Sequence, residues 1–509
     1  MASSTSVDAV SDSSTTPVPS SHGLDRDPEK DFPKEPKPTP EADSNIVRWT
    51  GPDDRGNPQN WTFRRKAGVT AIWVYACFAT AIGSSIFSSG SQKISAEYHV
   101  SSTVVTLGVS LFMIGYCVGP PIWGPLSEHF GRRWPAVIGM SLFTVFCIPA
   151  AVGQNMATIL VSRFFQGTFG AAPLALIGGA LVDIWNPTQR SVALTCCVGT
   201  LFWSPSLAPV IGDFVTENVG WRWTQWISCI MGGVCALLLL FALPESYAPL
   251  LLRQRAARLR KDGIPDARSQ FDGNAMTISD IARIYLLRAF VLLATEPILI
   301  AVTIYQAFIY GMLYLFYVAY PIVFEEIRHW RLGISSLPFL GIVAGILCGC
   351  AVVIAHTLIT AEPPKMDADG KPIIIPEKRL PIMIIGSILV PIGLFIFAWT
   401  SNPDIHWIGM AIGGFPIGMG MYMIFLQCFN YIIDVYMTIA NSAIAGNTMV
   451  RSGFAAGFPL FGPAMFHRLG VEWATSLLAF LSLAMIPIPV LFWKYGAQIR
   501  AWSKHQIST

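Results

Sequence analysis

The chain has 509 residues, of which 53% are hydrophobic and only 13% are charged. A soluble domain carries about 25% charged residues, so this composition excludes an ordinary soluble protein and indicates a chain embedded in a membrane. The net charge of +3 is too small for a nucleic-acid-binding surface, and the basic residues gather at the ends of apolar runs rather than in one patch.

The ten cysteines lie in or beside apolar runs, with neither CxxC spacing nor histidine partners. We therefore expect no disulfide framework and no metal site. The sequence also lacks a nucleophile elbow, a phosphate-binding loop, a zinc signature and an ATP-binding module. These motifs are the signatures of enzymes and ATP-driven pumps, so we expect neither activity and no cofactor.

Residues 1–60 are rich in Ser, Thr, Pro, Asp and Lys, and this composition predicts a disordered tail without a cleavable signal. Twelve apolar runs follow, each about as long as a membrane-spanning helix. They lie at roughly 67–88, 103–123, 134–152, 157–183, 191–213, 223–243, 291–318, 337–357, 380–400, 406–430, 443–466 and 473–493. The longest internal connection, 244–290, divides them into two six-helix bundles, 61–243 and 291–495, with a short tail at 496–509.

Lys and Arg collect on alternate connections, and short cytosolic loops carry such an excess. One set of connections holds Arg132, Arg133, Arg190, the 253–288 cluster, Lys365, Lys371, Lys378, Arg379, Lys494 and Arg500; the other holds only Lys93, Arg222, Arg328, Arg331 and Arg468. The imbalance predicts that both termini are cytosolic.

The second and third runs are joined by Gly124-Pro-Leu-Ser-Glu-His-Phe-Gly-Arg-Arg133. We expect a tight turn in which Gly124 and Gly131 permit close approach and unusual backbone angles. Glu128 lies near Arg132 and Arg133 and is a candidate for an ion-pair latch.

This segment resembles the loop between helices 2 and 3 of the major facilitator superfamily, Gly-x-x-x-Asp-x-x-Gly-Arg-Arg/Lys, with Glu128 in place of the usual Asp. The resemblance implies an all-α membrane protein of twelve helices in two pseudo-symmetric bundles. Each bundle would consist of inverted three-helix repeats, and the substrate would bind between the bundles near the midplane.

Arg163 lies inside the fourth run, where an ionisable side chain costs about 2.5 kcal/mol or more to insert. Together with Gln166, Gly167, Gly170 and Ala171 it resembles the family's helix-4 motif, Arg-x-x-Gln-Gly-x-Gly-Ala. The resemblance implies a part for Arg163 and Gln166 in proton coupling. The structural alternative is an arginine that donates hydrogen bonds to backbone carbonyls.

The fifth run, with Pro205, Pro209 and Gly212, partly resembles the antiporter motif Gly-Pro-x-x-Gly-Pro-x-x-Gly-Gly, whose prolines and glycines bend and gate the helix. Asp213, in place of a glycine, is expected at the helix end as a hydrated boundary carboxylate, with a proton acceptor as the alternative. Asp183, at the end of the fourth run, is expected to pair with Arg132, as in the superfamily, and to stabilise the state open to the outside.

In the second half, four residues of the seventh run share one helical face and suggest a substrate cavity or an aromatic packing seam. These residues are Gln306, Tyr310, Tyr314 and Tyr317. Gln427 and Asn430 of the tenth run are further candidates for the cavity. Glu296 is expected near the inner end of the seventh run. The first run has no carboxylate but contains Ser84 and Ser85, so the group that would carry a proton stays open.

Residues 244–249, Pro-Glu-Ser-Tyr-Ala-Pro, resemble the middle loop of fungal twelve-span drug:proton antiporters. Asn447-Thr-Met-Val-Arg-Ser and Phe458-Pro-Leu-Phe461 resemble the same carriers. The residues that follow, from Leu250 to Lys261, suggest either a basic amphipathic helix on the inner leaflet or a solvated connector.

The resemblance implies proton-coupled efflux of small amphipathic organic compounds, such as a self-made secondary metabolite, a toxin or a fungicide. The expected location is the plasma membrane, with the vacuolar membrane as an alternative, and the expected state is a monomer whose partners are its substrate and the bilayer. A polyamine exporter, a nutrient importer on the same fold and a non-transporting receptor are the rival functions.

Overall fold

In a computed structural model the chain is described over residues 46–51, 53–271, 278–360, 376–436 and 439–500. From Val47 onward the described residues belong to one compact unit, which consists almost entirely of helices. Eleven helical stretches in these ranges are long and apolar enough to cross a membrane. One of them, Ala440–Gly496, contains two crossings, because the helix is interrupted at Gly470. The predicted all-α fold with twelve spans is confirmed.

The elements of the first half follow the apolar runs closely. After a two-residue strand β1 (Ile46–Val47) come α1 (Phe63–Ser85), α2 (Ser91–Tyr98), α3 (Ser102–Phe130), α4 (Arg133–Val152), α5 (Met156–Ile184), α6 (Pro187–Asn218) and α7 (Arg222–Ala242). A 3-10 segment, Ile86–Gly90, connects α1 to the short helix α2.

The connection between the halves contains α8 (Ala248–Lys261), strand β2 (Arg268–Ser269) and α9 (Ile278–Thr295). The second half consists of α10 (Pro297–Pro321), α11 (Leu332–Ser335), α12 (Phe339–Ile359), α13 (Leu380–Trp399), α14 (Ile408–Val435), α15 (Ala440–Met485) and α16 (Pro487–Arg500). A π-helical turn, Ile322–Ile327, continues α10.

The turn between α3 and α4 is shorter than the motif suggests. Helix α3 continues to Phe130, so Gly124 lies inside the helix and the expectation that it forms the turn is wrong. Gly131 forms the turn with a φ of +83°, a backbone angle that residues with a side chain rarely adopt. A Cβ at this position would also lie 2.4 Å from a carboxylate oxygen of Glu245, so this turn requires glycine.

The seventh run differs from its predicted bounds. Instead of one helix from 291, α9 ends at Thr295 and α10 begins at Pro297, with Glu296 in an extended conformation between them. Proline disfavours a helical conformation in the residue before it, which explains the break. Glu296 is buried there and accepts a hydrogen bond of 3.2 Å from the Tyr436 hydroxyl.

Glycines allow the same close helix contact in both halves. A Cβ on Gly167 of α5 would lie 2.0 Å from the Phe112 carbonyl oxygen of α3. In the second half, a Cβ on Gly418 of α14 would lie 2.2 Å from the Ile342 carbonyl oxygen of α12. Small residues let helix backbones approach in a membrane protein, so these contacts hold each bundle together at corresponding places.

Most of the two predicted tails lies outside the described residues. The end of the first tail has defined contacts, which composition did not predict: Asp54 accepts hydrogen bonds from the Thr50 amide and from Arg255 of α8. The segment for which a basic amphipathic helix and a solvated connector were the alternatives forms helix α8, which buries Leu252 and Ala256 against the protein.

Candidate functional site between the two halves

The buried tyrosines of α10 form the centre of the contact between the halves. The rings of Tyr310 and Tyr314 are 5.3 Å apart, and those of Tyr314 and Tyr317 are 5.2 Å apart. The Tyr314 hydroxyl and the Ser84 hydroxyl of α1 are joined by a hydrogen bond of 2.9 Å. The predicted aromatic face therefore lies where the first half meets the second, and we call Tyr310, Tyr314 and Tyr317 the tyrosine seam.

The predicted amides are buried, but they do not all join the tyrosine seam. Gln306 donates a hydrogen bond of 3.2 Å to the Phe425 carbonyl, and its side-chain oxygen has no partner. No hydrogen bond among the described residues connects Gln427 or Asn430 of α14 to the tyrosines. The residue of α14 that packs on the seam is Phe425, 5.7 Å from the Tyr310 ring, and sequence reasoning missed it because an apolar residue in a span gives no signal.

Arg163 is fully buried in α5 and donates to acceptors of its own half. Its Nε donates to the Gly108 carbonyl at 3.0 Å, and its Nη2 donates to the Ser84 carbonyl at 2.8 Å. Its Nη1 donates to the Gly83 carbonyl and to the side-chain oxygen of Gln166. This geometry agrees with the alternative of an arginine that donates hydrogen bonds to backbone carbonyls. The role of Arg163 and Gln166 in proton coupling stays a prediction.

Arg451 of α15 is the second buried arginine of the membrane region, with 2% of its surface exposed. Its Nε and Nη1 donate to no atom of the described residues, and its Nη2 makes one long bond, 3.4 Å, to the Thr448 hydroxyl. The guanidinium lies over the rings of Tyr310 and Phe425, at 5.1 and 4.8 Å. Arg451 therefore lies against the tyrosine seam with most of its donors unused.

The structure brings the predicted latch residues Arg132 and Asp183 together, with 3.1 Å between Nε and the carboxylate. The carboxylate of Glu245 belongs to the same latch, because it accepts hydrogen bonds from the backbone amides of Arg132 and Arg133. Sequence reasoning missed this role, although Glu245 belongs to the Pro-Glu-Ser-Tyr-Ala-Pro segment already singled out. The ring of Tyr247 lies 4.6 Å from the Arg132 guanidinium, and burial raises the pKa of this tyrosine.

Glu128 also makes a contact with the second half, while its predicted part in an ion-pair latch stays a prediction. Its carboxylate accepts a hydrogen bond of 3.0 Å from the Asn441 amide of α15, across the boundary between the halves. Helix α3 places Glu128 one turn before Gly131, beside a small cavity that Arg132 and Asn441 also line. Glu128 is thus a contact between the halves.

The second half contains a corresponding latch, which sequence reasoning missed. Arg379, just before α13, donates a hydrogen bond of 2.5 Å to Asp434 near the end of α14. The two pairs have similar separations along the chain, 51 residues for Arg132 and Asp183 and 55 for Arg379 and Asp434. This similar spacing was the available signal. Both latches lie on one face of the helices, which also carries Arg190 and which we call the basic face.

Pro205 and Pro209 of α6 lie beside the serines that end α1. Proline lacks an N–H, so Pro209 leaves the Pro205 carbonyl without its helical donor. Ser85 donates a hydrogen bond of 2.8 Å to that carbonyl. A Cβ on Gly212 would lie 2.4 Å from the Ser89 hydroxyl, so this glycine keeps the two segments close. The predicted gating residues therefore form the contact between α6 and α1.

Asp213 does not lie at the end of its helix, and the expectation of a hydrated boundary carboxylate is wrong. Helix α6 continues to Asn218, and Asp213 is 4% exposed. Its carboxylate lines a cavity of about 160 Å³ at the face opposite the basic face, together with Glu325, Tyr314 and Tyr317. The apolar run in the sequence ends before the helix does, because the last turn of α6 contains the polar residues 216–218.

Comparisons with known proteins agree with this architecture. Residues 72–458 match the Major Facilitator Superfamily. The chain is 59% identical to the MFS-type transporter oryN of Aspergillus oryzae, over 98% of each chain. It is 47% identical to the citrinin biosynthesis cluster MFS transporter mrr1 of Monascus ruber, over 95% of this chain and 96% of that one. It is also 47% identical to the ascochitine biosynthesis cluster MFS transporter of Didymella fabae, over 91% and 90%.

Among solved structures, the proton:xylose symporter XylE bound to 6-bromo-6-deoxy-D-glucose is similar with a TM-score of 0.59. The similarity covers 86% of this chain and 96% of that chain at 15% identity, so it shows the fold alone. The family match covers most of the chain, and the curated relatives extend over nearly all of it. The chain is therefore a member of the Major Facilitator Superfamily, a multi-pass membrane transporter and not an enzyme.

Proposed function

We propose that this transporter exports a small amphipathic organic compound, in the first place a secondary metabolite made by the same cell, in exchange for protons. The observation that carries the proposal is the full-length similarity to transporters named for the citrinin and ascochitine biosynthesis clusters. The tyrosine seam supports it, because tyrosine combines apolar area with a hydroxyl group and suits a partly polar aromatic cargo.

Alternating access requires that each face open while the other stays closed. At the basic face the halves are joined by Glu128 and Asn441, and at the centre by Ser84 and Tyr314. At the opposite face the Gly333 amide donates to Glu217, and Gln92 donates to Glu325. Because separate contacts hold each face, one face can open by rocking of the halves while the other stays closed.

Asp213 and Glu325 are our candidates for the proton-carrying groups. They come from different halves, line the same cavity and have no ion-pair partner among the described residues. Carboxylates inside a membrane protein are the groups that proton relays use. A proton entering the cavity would change the contact between the halves at this face. The Arg132–Asp183 latch would in turn stabilise the state that is open here.

The excess of Lys and Arg at the basic face supports a cytosolic position for it, because short cytosolic loops carry such an excess. We therefore propose that the 160 Å³ cavity opens to the outside of a plasma-membrane monomer with both termini in the cytosol. The driving force would be the proton gradient, and no cofactor would be required.

One observation favours a polyamine exporter as a second candidate. Glu326 lines the same cavity as Asp213 and Glu325, which gives three carboxylates where sequence reasoning found too few. A polyamine has several positive charges and would be attracted by such a cluster.

The test is the accumulation of labelled fungicides, aromatic polyketides and polyamines in cells that lack their own efflux carriers. Wild type is compared with Asp213→Asn and with Asp404→Asn, a matched change at an exposed position, with and without an uncoupler. We expect wild type and Asp404→Asn each to lower the accumulation of an aromatic compound. The uncoupler should abolish this lowering, and cells with Asp213→Asn should not show it. Lower accumulation of polyamines alone would establish the second candidate. Higher accumulation would make the chain an importer and contradict both candidates.

A further inference from the structure

The donors of Arg451 are the least satisfied polar group in the described membrane region. A guanidinium has five N–H donors, and here one long bond to Thr448 is the only hydrogen bond they make within the described residues. One turn earlier on the same helix, the Asn447 side-chain oxygen also has no hydrogen-bond partner among the described residues. A buried charge without partners is unfavourable, so the fold keeps this group for a reason other than its own stability.

No carboxylate among the described residues forms an ion pair with Arg451. Its neighbours are aromatic rings, and the faces of Tyr310 and Phe425 lie about 5 Å from the guanidinium carbon. Such rings attract a cation weakly and leave its N–H donors free for an anion at the edge. The same rings offer flat apolar walls beside the charge. The site thus combines one positive charge with space suited to an aromatic ring.

Arg451 lies close to the first half, since it lines a cavity together with Pro120 and Gly124 of α3. Contacts on the same stretch of α15 join the two halves: the Cys117 thiol contacts the Met449 carbonyl at 2.8 Å, and the Ser110 hydroxyl donates to the Ala456 carbonyl at 2.7 Å. Separation of α3 from α15, which the rocking of the halves requires, would uncover the guanidinium.

A cavity already leads from Arg451 to the basic face. It has a volume of about 70 Å³ and is lined by Thr448, Asn441, Glu128 and Arg132, among others. This volume holds only a few water molecules, so a cargo enters only after the halves move apart. The path connects Arg451 with the face that the proposed export would load from.

We propose that Arg451 binds the carboxylate of the cargo, so that the transporter carries aromatic organic acids as anions. Nη1 and the second N–H of Nη2 form the fork that arginine presents to a carboxylate. The Tyr310 and Phe425 rings pack on the aromatic part of the molecule. This inference rests on the proposed export function and adds the chemical class of its cargo.

The experiment compares acids with their uncharged amides on the purified full-length transporter. Benzoate, salicylate and 1-naphthoate are each paired with the corresponding primary amide, and binding is measured by thermal stabilisation at neutral pH. Four proteins are compared: wild type, Arg451→Gln, Arg451→Lys and Arg468→Gln. Arg468 lies on the same helix but is exposed, so its change controls for the loss of one positive charge.

We expect wild type and Arg468→Gln to bind at least one acid more tightly than its amide, by about tenfold to a hundredfold, the range for a hydrogen-bonded charge. Arg451→Gln should lose this preference, and Arg451→Lys should keep part of it. The melting temperature without ligand shows whether each variant is folded, and Arg451→Lys keeps the test valid if the glutamine variant is not.

Equal binding of acid and amide by wild type would overturn the inference, as would an acid preference that survives Arg451→Gln. Stabilisation by chloride alone, with nothing added by any acid, would assign the site to an inorganic ion and also overturn it. If no acid binds while the cells still export a neutral compound, the inference fails and the proposed function stands. If neither binding nor export is found, both fail.

Discussion

The two buried arginines of the membrane region occupy opposite situations. Arg163 donates to three backbone carbonyls and to Gln166, all within the first half. Arg451 has a single long hydrogen bond and faces the boundary between the halves. Both are surrounded by aromatic rings, Phe87 and Phe112 for the first and Tyr310 and Phe425 for the second. Burial is therefore the same, and only the partners differ.

This difference separates an internal contact from a candidate binding site. A buried charge with satisfied donors stabilises the helices that supply its acceptors, here α1 and α3. A buried charge with unused donors is unfavourable until another molecule supplies an acceptor. Counting the partners of each arginine therefore says more about its role than its burial does, and substitution of Arg163 and of Arg451 tests this rule.

The largest effect is expected for Arg163→Gln. The shorter side chain cannot reach the Gly83, Ser84 and Gly108 carbonyls together, and bonds to a charged donor contribute about 1.5–3 kcal/mol each. We expect the free energy of unfolding to fall by about 3 kcal/mol or more, measured by thermal unfolding in detergent. Arg468→Gln is the control and should change little. A stable Arg163→Gln protein that has lost transport would show that Arg163 is a coupling residue.

The next effect concerns the latch. Asp183→Asn removes the charge that pairs with Arg132, and a coupling of about 1–3 kcal/mol between the states would be lost. We expect transport to fall about tenfold while the amount of protein in the membrane stays the same. Asp434→Asn, which opens the corresponding Arg379 pair, should lower transport as well. Unchanged transport in Asp183→Asn would contradict the latch.

A smaller effect on stability is expected for Arg451→Gln. The change removes a buried charge with unused donors, which is favourable, and contacts with two aromatic rings worth about 1 kcal/mol. We expect the free energy of unfolding to stay within about 1 kcal/mol of wild type, measured under the conditions used for Arg163→Gln. A loss as large as that of Arg163→Gln would break the comparison, because it would show that Arg451 is also an internal contact.

The smallest effect is expected at the surface. Amides of Thr50 and Gly56 and the Arg255 guanidinium lower the pKa of Asp54 below its usual range. A lowered pKa contributes stability that is present above the unfolded value, about 3.9, and is lost as the pH falls through the folded value. Asp54→Asn should therefore lower the melting temperature slightly at neutral pH, and the difference from wild type should shrink below about pH 4. A difference that is independent of pH would contradict this assignment.

Much of the architecture was predictable because a bilayer imposes a simple rule. A span needs about twenty apolar residues, so the twelve runs could be located within a few residues. The errors lie where polar residues continue a helix, as at Glu128 in α3 and Asp213 in α6, or where proline interrupts one, as at Glu296. An apolar run in the sequence indicates the part of a helix that contacts lipid, whereas these polar residues pack against protein.

The candidate site was only partly predictable. The helical spacing of Tyr310, Tyr314 and Tyr317 gave one face of α10, but it could not distinguish a cavity from a packing seam. Phe425 and Glu245 were missed, the first because apolar residues are common in spans and the second because its partners are backbone amides far along the chain.

The sequence alone thus determined the fold class, the number of spans and the places where charge enters the membrane, since these depend on hydropathy and on motifs within one helix or loop. Only the tertiary structure decided which buried charges have partners. The acceptors of Arg163 come from α1, α3 and its own helix, whereas the space around Arg451 depends on how the two halves meet. Hydrogen bonding acts over about 3 Å, and only folding brings residues so distant in the chain to that separation.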